Sequence, residues 1–103
     1  MDFIAELYFL STENGGRKSF ATSGYRPHLK FDFDERHTSG QQIYINQDCV
    51  FPGENVMAQI SILSREYFEN KLQNGFNFNF YEGPNLIGNG KIIEIINQSL
   101  LKK

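Results

Sequence analysis

Six short runs of apolar or alternating residues, each closed by a glycine, proline or asparagine turn, commit this chain to a β fold. In the clearest run, Phe76, Phe78 and Phe80 alternate with Asn77, Asn79 and Tyr81. Successive strand side chains point to opposite faces, so this pattern makes one apolar and one polar face. His28 to Asp34 repeats it, with Leu29, Phe31 and Phe33 on one side and Lys30, Asp32 and Asp34 on the other. Phe3 to Leu10, Gln41 to Asn46, Val56 to Leu63 and Leu86 to Ile96 complete the set, with Ile43 and Ile45 sharing a face. Gly88 and Gly90 inside the last run predict a bulge or a barrel corner.

One stretch reads differently. Tyr67, Phe68 and Leu72 lie near helical spacing, Ser64 is a possible cap, and Arg65 and Glu69 stand at i, i+4. A short helical turn is expected near 65–72. The expected fold is all-β, a six-stranded antiparallel barrel over residues 1–98, with 99–103 a frayed tail. At 103 residues the chain is one domain. A barrel of this size takes about a dozen inward side chains. Phe3, Phe9, Phe20, Tyr44, Phe51, Tyr67, Phe68 and Phe80 are more large rings than such a lumen takes comfortably, which predicts an apolar outer surface.

Charge and chemistry narrow the function. The net charge is -2, against a dedicated nucleic-acid binder. Yet Arg17, Lys18, Arg26 and Lys30 cluster between Ser11 and Lys30, with Glu13 the only acid there. The single cysteine, Cys49, has no internal disulfide partner. The start Met1-Asp2-Phe3-Ile4-Ala5-Glu6 is not a secretory signal, and no apolar run approaches ~20 residues. These readings predict a cytoplasmic protein with no membrane partner. His28 and His37 with Cys49, Asp32 or Asp34 match no closed zinc set, so no metal is expected. Cys49, His37 and Asp48 lack any nucleophile elbow, so no enzyme is expected. Lys18-Ser19 follows Gly15-Gly16, but Arg17 stands where a phosphate loop needs glycine, Gly88-Asn89-Gly90 precedes no Lys-Ser/Thr, and neither is expected to open a helix, so neither nucleotide nor other cofactor is expected.

The order of the turns carries a resemblance. Gly15-Gly16-Arg17, Ser23-Gly24-Tyr25-Arg26-Pro27, Phe51-Pro52-Gly53-Glu54-Asn55 and Glu82-Gly83 followed by Gly88-Asn89-Gly90 resemble the third domain of the elongation factor Tu family. The likeness runs from about Glu6 to about Ile96, as a stand-alone copy of that domain. The chain departs from it at His28, where the family has glutamine, and at Pro84-Asn85, where it has glycine and arginine. Glu35 to Gly40 and Arg65 to Gln73 are longer here, and a Thr-Gly pair is opened to Thr38-Ser39-Gly40.

The resemblance implies a non-catalytic β-barrel with translation-related binding. In the family this domain packs on the GTPase domain and meets the exchange factor Ts, which implies a protein partner or self-association through an exposed barrel face. The family domain also contacts the T stem of tRNA, which implies an alternative, a tRNA-like RNA. By resemblance, the RNA contacts are Arg17, Lys18, His28, Thr38 and Gly83. Arg17 would fork onto a phosphate, Lys18 would add a point charge, and Gly83 would admit close backbone approach. Carboxylates such as Glu13 or Glu35 neutralising Arg17 and Lys18 would remove the basis of that alternative.

Overall fold

A computed structural model describes all 103 residues. Six strands close into an antiparallel barrel: β1 (Phe3–Phe9), β3 (His28–Phe31), β4 (His37–Tyr44), β6 (Asn55–Ile62), β7 (Asn77–Glu82) and β8 (Asn85–Ile95). The order around the barrel is β1-β6-β4-β3-β7-β8, and β1 also pairs with β8. Each of the six expected runs contributes one barrel strand. A separate ribbon pairs β2 (Ala21–Thr22) with β5 (Cys49–Val50). Closure pairs every barrel strand on both sides, so the barrel itself leaves no open edge.

The inward rows explain how the barrel holds so many rings. Phe78 pairs with Gly90, and Phe80 with Gly88. Both glycines are buried and face inward. A Cβ at Gly90 would fall inside contact of the Phe78 ring and lie 2.8 Å from Leu7 Cδ2. A Cβ at Gly88 would collide with the Tyr8 carbonyl oxygen and the Phe80 ring. The register does slip beside them, between Phe80 and Tyr81, as a bulge reading expects. Their larger role is to leave room for phenylalanine. Phe9 meets Phe80 edge-on at 5.1 Å, and Phe3 meets Phe78 at 5.9 Å.

Both ends of the barrel are plugged. At one end, Phe68 of a 3-10 turn (Arg65–Phe68) packs on Phe31 at 5.2 Å, and Leu72 and Leu100 are fully buried beside the same core. At the other, Ala21 and Val50 of the ribbon are buried, and Tyr25 packs on Phe9. The expected aromatic surplus is therefore corrected. Phe3, Phe9, Tyr44, Phe68 and Phe80 are all buried, because the core extends past the lumen into these plugs. Of the eight rings in that expectation only Phe20 and Phe51 stand well exposed, with rings 5.3 Å apart across the ribbon.

Other expectations shift for local reasons. The residues expected to fray are docked: the Leu72 N–H donates to Leu100 O at 2.8 Å, and the Lys102 N–H donates to Leu72 O at 2.6 Å. Phe33 is not inward, because the chain turns at Phe31, where the Asp34 N–H returns to Phe31 O, and leaves the sheet. Ile43 and Ile45 do share a face, but it is the outer one. Gln42 and Tyr44 face in, and the Tyr44 hydroxyl donates to Gln42 Oε1 at 2.8 Å, which satisfies the buried polar atoms. Ser64 makes no side-chain cap.

Arg65 does not pair with Glu69 but with Asp2, donating from Nε to Oδ1 at 2.8 Å and Oδ2 at 3.0 Å. Asp2 is buried and also accepts from the Ile62 N–H at 2.8 Å and Asn97 Nδ2 at 3.1 Å. One carboxylate so joins the start of β1 to the ends of β6 and β8.

Gly90→Ala should destabilise the barrel by about 1–3 kcal/mol, the usual range for overpacking. Adding Phe78→Leu should recover part of that loss, as read by urea denaturation of both variants.

Candidate functional site

The residues that the resemblance marks for RNA gather around the β7–β8 hairpin, with one exception. Gly83 is exposed at the hairpin tip with φ +56°, in the left-handed region that glycine tolerates. His28 opens β3, is exposed, and pairs with Tyr81 two residues before Gly83. Lys18 is exposed on the loop that leads to the ribbon. Thr38 is the exception. It is buried in β4, and its Oγ1 accepts from the Ser64 N–H at 3.3 Å.

Arg17 is already engaged. Its Nη1 donates to Glu82 Oε2, beside Gly83, in a close ion pair. Nη2 donates to Phe20 O at 3.3 Å, and Nε to Ser19 O at 3.3 Å. Its guanidinium carbon lies 4.8 Å from the Tyr25 ring centroid, and the Tyr25 hydroxyl donates to the same Glu82 oxygen. Partial burial works against the charged guanidinium, but Glu82 and Tyr25 outweigh it, so the Arg17 pKa rises above its ordinary value. Burial first, and then the Glu82 carboxylate, push the Tyr25 phenol up as well. The first loop is thus tied to the last hairpin by a charge that a phosphate would otherwise compete for. The carboxylate is Glu82, not the nearer-in-sequence Glu13. No local pattern reveals it, since 65 residues separate the partners.

The Gly24-Tyr25-Arg26-Pro27 motif is chiefly structural. Gly24 sits at φ +101°, and the Gly24 N–H donates to Gln42 O at 2.7 Å. The Gln42 N–H returns to Tyr25 O at 2.8 Å, and the Gly40 N–H donates to Pro27 O at 3.0 Å. These bonds fasten the segment to β4. Arg26 is the member they leave over: it is exposed and joins no ion pair.

The outer wall of the barrel has two unlike sides. On β4, β6 and β1, Ile43 and Ile4 flank Gln59, each paired with it, while Ile45 lies beside Met57 one step along. These residues alternate with buried neighbours, so they form an outward aliphatic patch. On β3, β7 and β8, the register sets Lys30, Asn79 and Asn89 in one row, and Asn77 and Lys91 in the next. Two carboxylates flank the second row: the Asp32 N–H donates to Asn77 O at 3.1 Å, and Glu6 of β1 pairs with Lys91.

No group of three or more His, Cys, Asp or Glu side chains is placed to hold a metal ion. No helix is long and apolar enough to cross a membrane.

Glu82→Gln should cost about 1 kcal/mol, since the pair is partly open to solvent, and should lower the melting midpoint by about 5 °C. The folded state keeps Tyr25 neutral, so this contribution is complete below about pH 10 and is lost as pH rises toward the raised folded-state value. Tyr25→Phe should therefore flatten the alkaline fall in stability in melts followed by circular dichroism.

A closed six-stranded barrel with this turn order, this tied first loop and this last hairpin agrees with the comparison to known families. The family described as the elongation factor Tu C-terminal domain matches residues 1–96. The chain belongs to that family, a family of translation-related binding domains.

Proposed function

We propose that this barrel is a non-catalytic docking module that binds a protein partner of the translation apparatus through the outer face of β4, β6 and β1. The observation that carries this reading is the patch of Ile4, Ile43, Ile45 and Met57 around Gln59. Nothing in the fold needs these side chains outside: the core is filled without them. Aliphatic residues grouped on a sheet exterior gain free energy only when another surface covers them. Family membership supports the theme of translation and makes the elongation factor Tu GTPase domain and the exchange factor Ts the first partners to try. Work beside that machinery would be cytoplasmic.

A second reading, contact with a tRNA-like stem, is supported by one observation. The outer rows of β3, β7 and β8 bring Lys30, Lys91 and three asparagines together beside His28, with Glu6 and Asp32 at the flanks of the Asn77–Lys91 row. Arg17 counts against it, being neutralised by Glu82. Thr38 is left out of this surface because it is buried. The remaining contacts, Lys18, His28 and Gly83, give few charges, hence weak binding with a shallow salt dependence.

Titration calorimetry with the GTPase domain and with Ts should find one that binds the wild-type chain. Ile43→Asp, an exposed position, should weaken that binding by at least about tenfold while circular dichroism stays native. Equal binding by the variant would sink the docking reading. If RNA is the partner, Glu82→Gln should instead free Arg17 and raise the affinity for a T-stem minihelix.

A further inference from the structure

We propose that a groove at one border of the docking face is an anion site that takes a phosphate monoester, carried by a side chain of the docked protein. The source of the phosphate rests on the docking reading. The anion site itself does not.

The groove is a cavity of about 240 Å³ lined by Arg26, Ser39, Gln41, Ser61, Leu63 and Arg65, together with Ile62. The register explains the grouping. Gln41 pairs with Ser61, and the Leu63 N–H donates to Ser39 O at 3.0 Å, which sets these residues side by side on the outer wall. Arg26 is brought alongside by its two neighbours, since Tyr25 O and Pro27 O accept from the Gln42 and Gly40 N–H groups of β4. Arg65 opens the 3-10 turn just past β6.

The donors outnumber the acceptors. Two guanidinium groups, two hydroxyls and an amide line the space, and no carboxylate does. Arg26 joins no ion pair. Arg65 uses Nε on Asp2, a buried carboxylate behind it, and its two terminal nitrogens make no bond to the protein. Asp2 so anchors Arg65 and leaves its outer edge free for a ligand. A single carboxylate would satisfy one such fork. Two forks with flanking hydroxyls suit a tetrahedral anion with three exposed oxygens.

Continuity identifies where the anion comes from. Ile43 stands two residues beyond Gln41 on β4, and Gln59 two before Ser61 on β6, so the groove and the aliphatic patch share one surface. Leu63, 72% exposed, stands at the rim and offers an apolar contact next to the anion. A phosphorylated side chain flanked by apolar residues fits both features, as arginine clusters recognise phosphorylated segments elsewhere.

The test is an amide NMR titration of the labelled full chain. The probes are inorganic phosphate, a peptide with phosphoserine between two leucines, and its unphosphorylated twin, each against matched chloride. Inorganic phosphate should give saturable shifts at Gln41, Ser61, Leu63 and Arg65. The phosphopeptide should bind at least about tenfold more tightly, and the twin should not bind. Arg26→Gln should weaken both by about tenfold with the melting midpoint unchanged, and Ser61→Ala by a smaller factor. Shifts matched by chloride, centred on Lys18, Lys71 or Lys102, or unaltered by Arg26→Gln would overturn the site. A phosphopeptide no better than inorganic phosphate, or one outcompeted by a T-stem minihelix, would overturn the protein source. The docking reading fails separately, on the indifference of a bound partner to Ile43→Asp.

Discussion

Two glycines in β8 set what this barrel can contain. Gly88 and Gly90 give up their side-chain volume to the rings of Phe80 and Phe78, which lie directly across the sheet. Protein interiors are packed as densely as organic crystals, so such room cannot be improvised elsewhere. Once it exists, Phe3 and Phe31 meet Phe78 edge-on and Phe9 meets Phe80 the same way, and the six strands have a core dense enough to close around. Gly40 on β4 plays the same part for Leu29 of β3.

The rest of the architecture seals that core. The lumen of a short barrel is open at both ends, and here each end is covered by sequence distant from the strands it covers. Phe68, Leu72 and Leu100 close one end, and the ribbon with Tyr25 closes the other. Asp2 clasps the first end by joining the chain near β1, β6 and β8. Arg17 and Glu82 tie the second. With the interior complete, the outer wall is free to differ from side to side. It is aliphatic over β4, β6 and β1 and rich in amides over β3, β7 and β8.

Much of this was legible in the sequence, and the failures have physical causes. Alternation located all six barrel strands, because a period of two survives even in short runs. It could not say which face was inside. Ile43 and Ile45 look like core, yet Gln42 and Tyr44 satisfy each other and take the interior. Counting rings against lumen volume overstated the aromatic surplus, because the plugging role of Phe68 and the space left by Gly88 and Gly90 are tertiary facts. The loop, hairpin and His28 of the RNA reading converge in space. Thr38 turned inward, and the Glu82 partner of Arg17 was invisible, since ion pairs across 65 residues leave no periodic trace. The sequence shows Arg26 as part of a turn motif and of a basic segment. Its neighbours across β4 and β6 are what give it a groove.

On this structure the aliphatic wall, not the amide-rich wall, is the surface expected to meet the partner. Hydrogen exchange of the chain, alone and with whichever of the GTPase domain or Ts it binds, tests this directly. Added protection is expected in β1, β4 and β6 around Ile4, Ile43 and Met57, with β3 and the β7–β8 hairpin unchanged. Protection confined to the Arg17 loop, His28 and the Gly83 hairpin would contradict it.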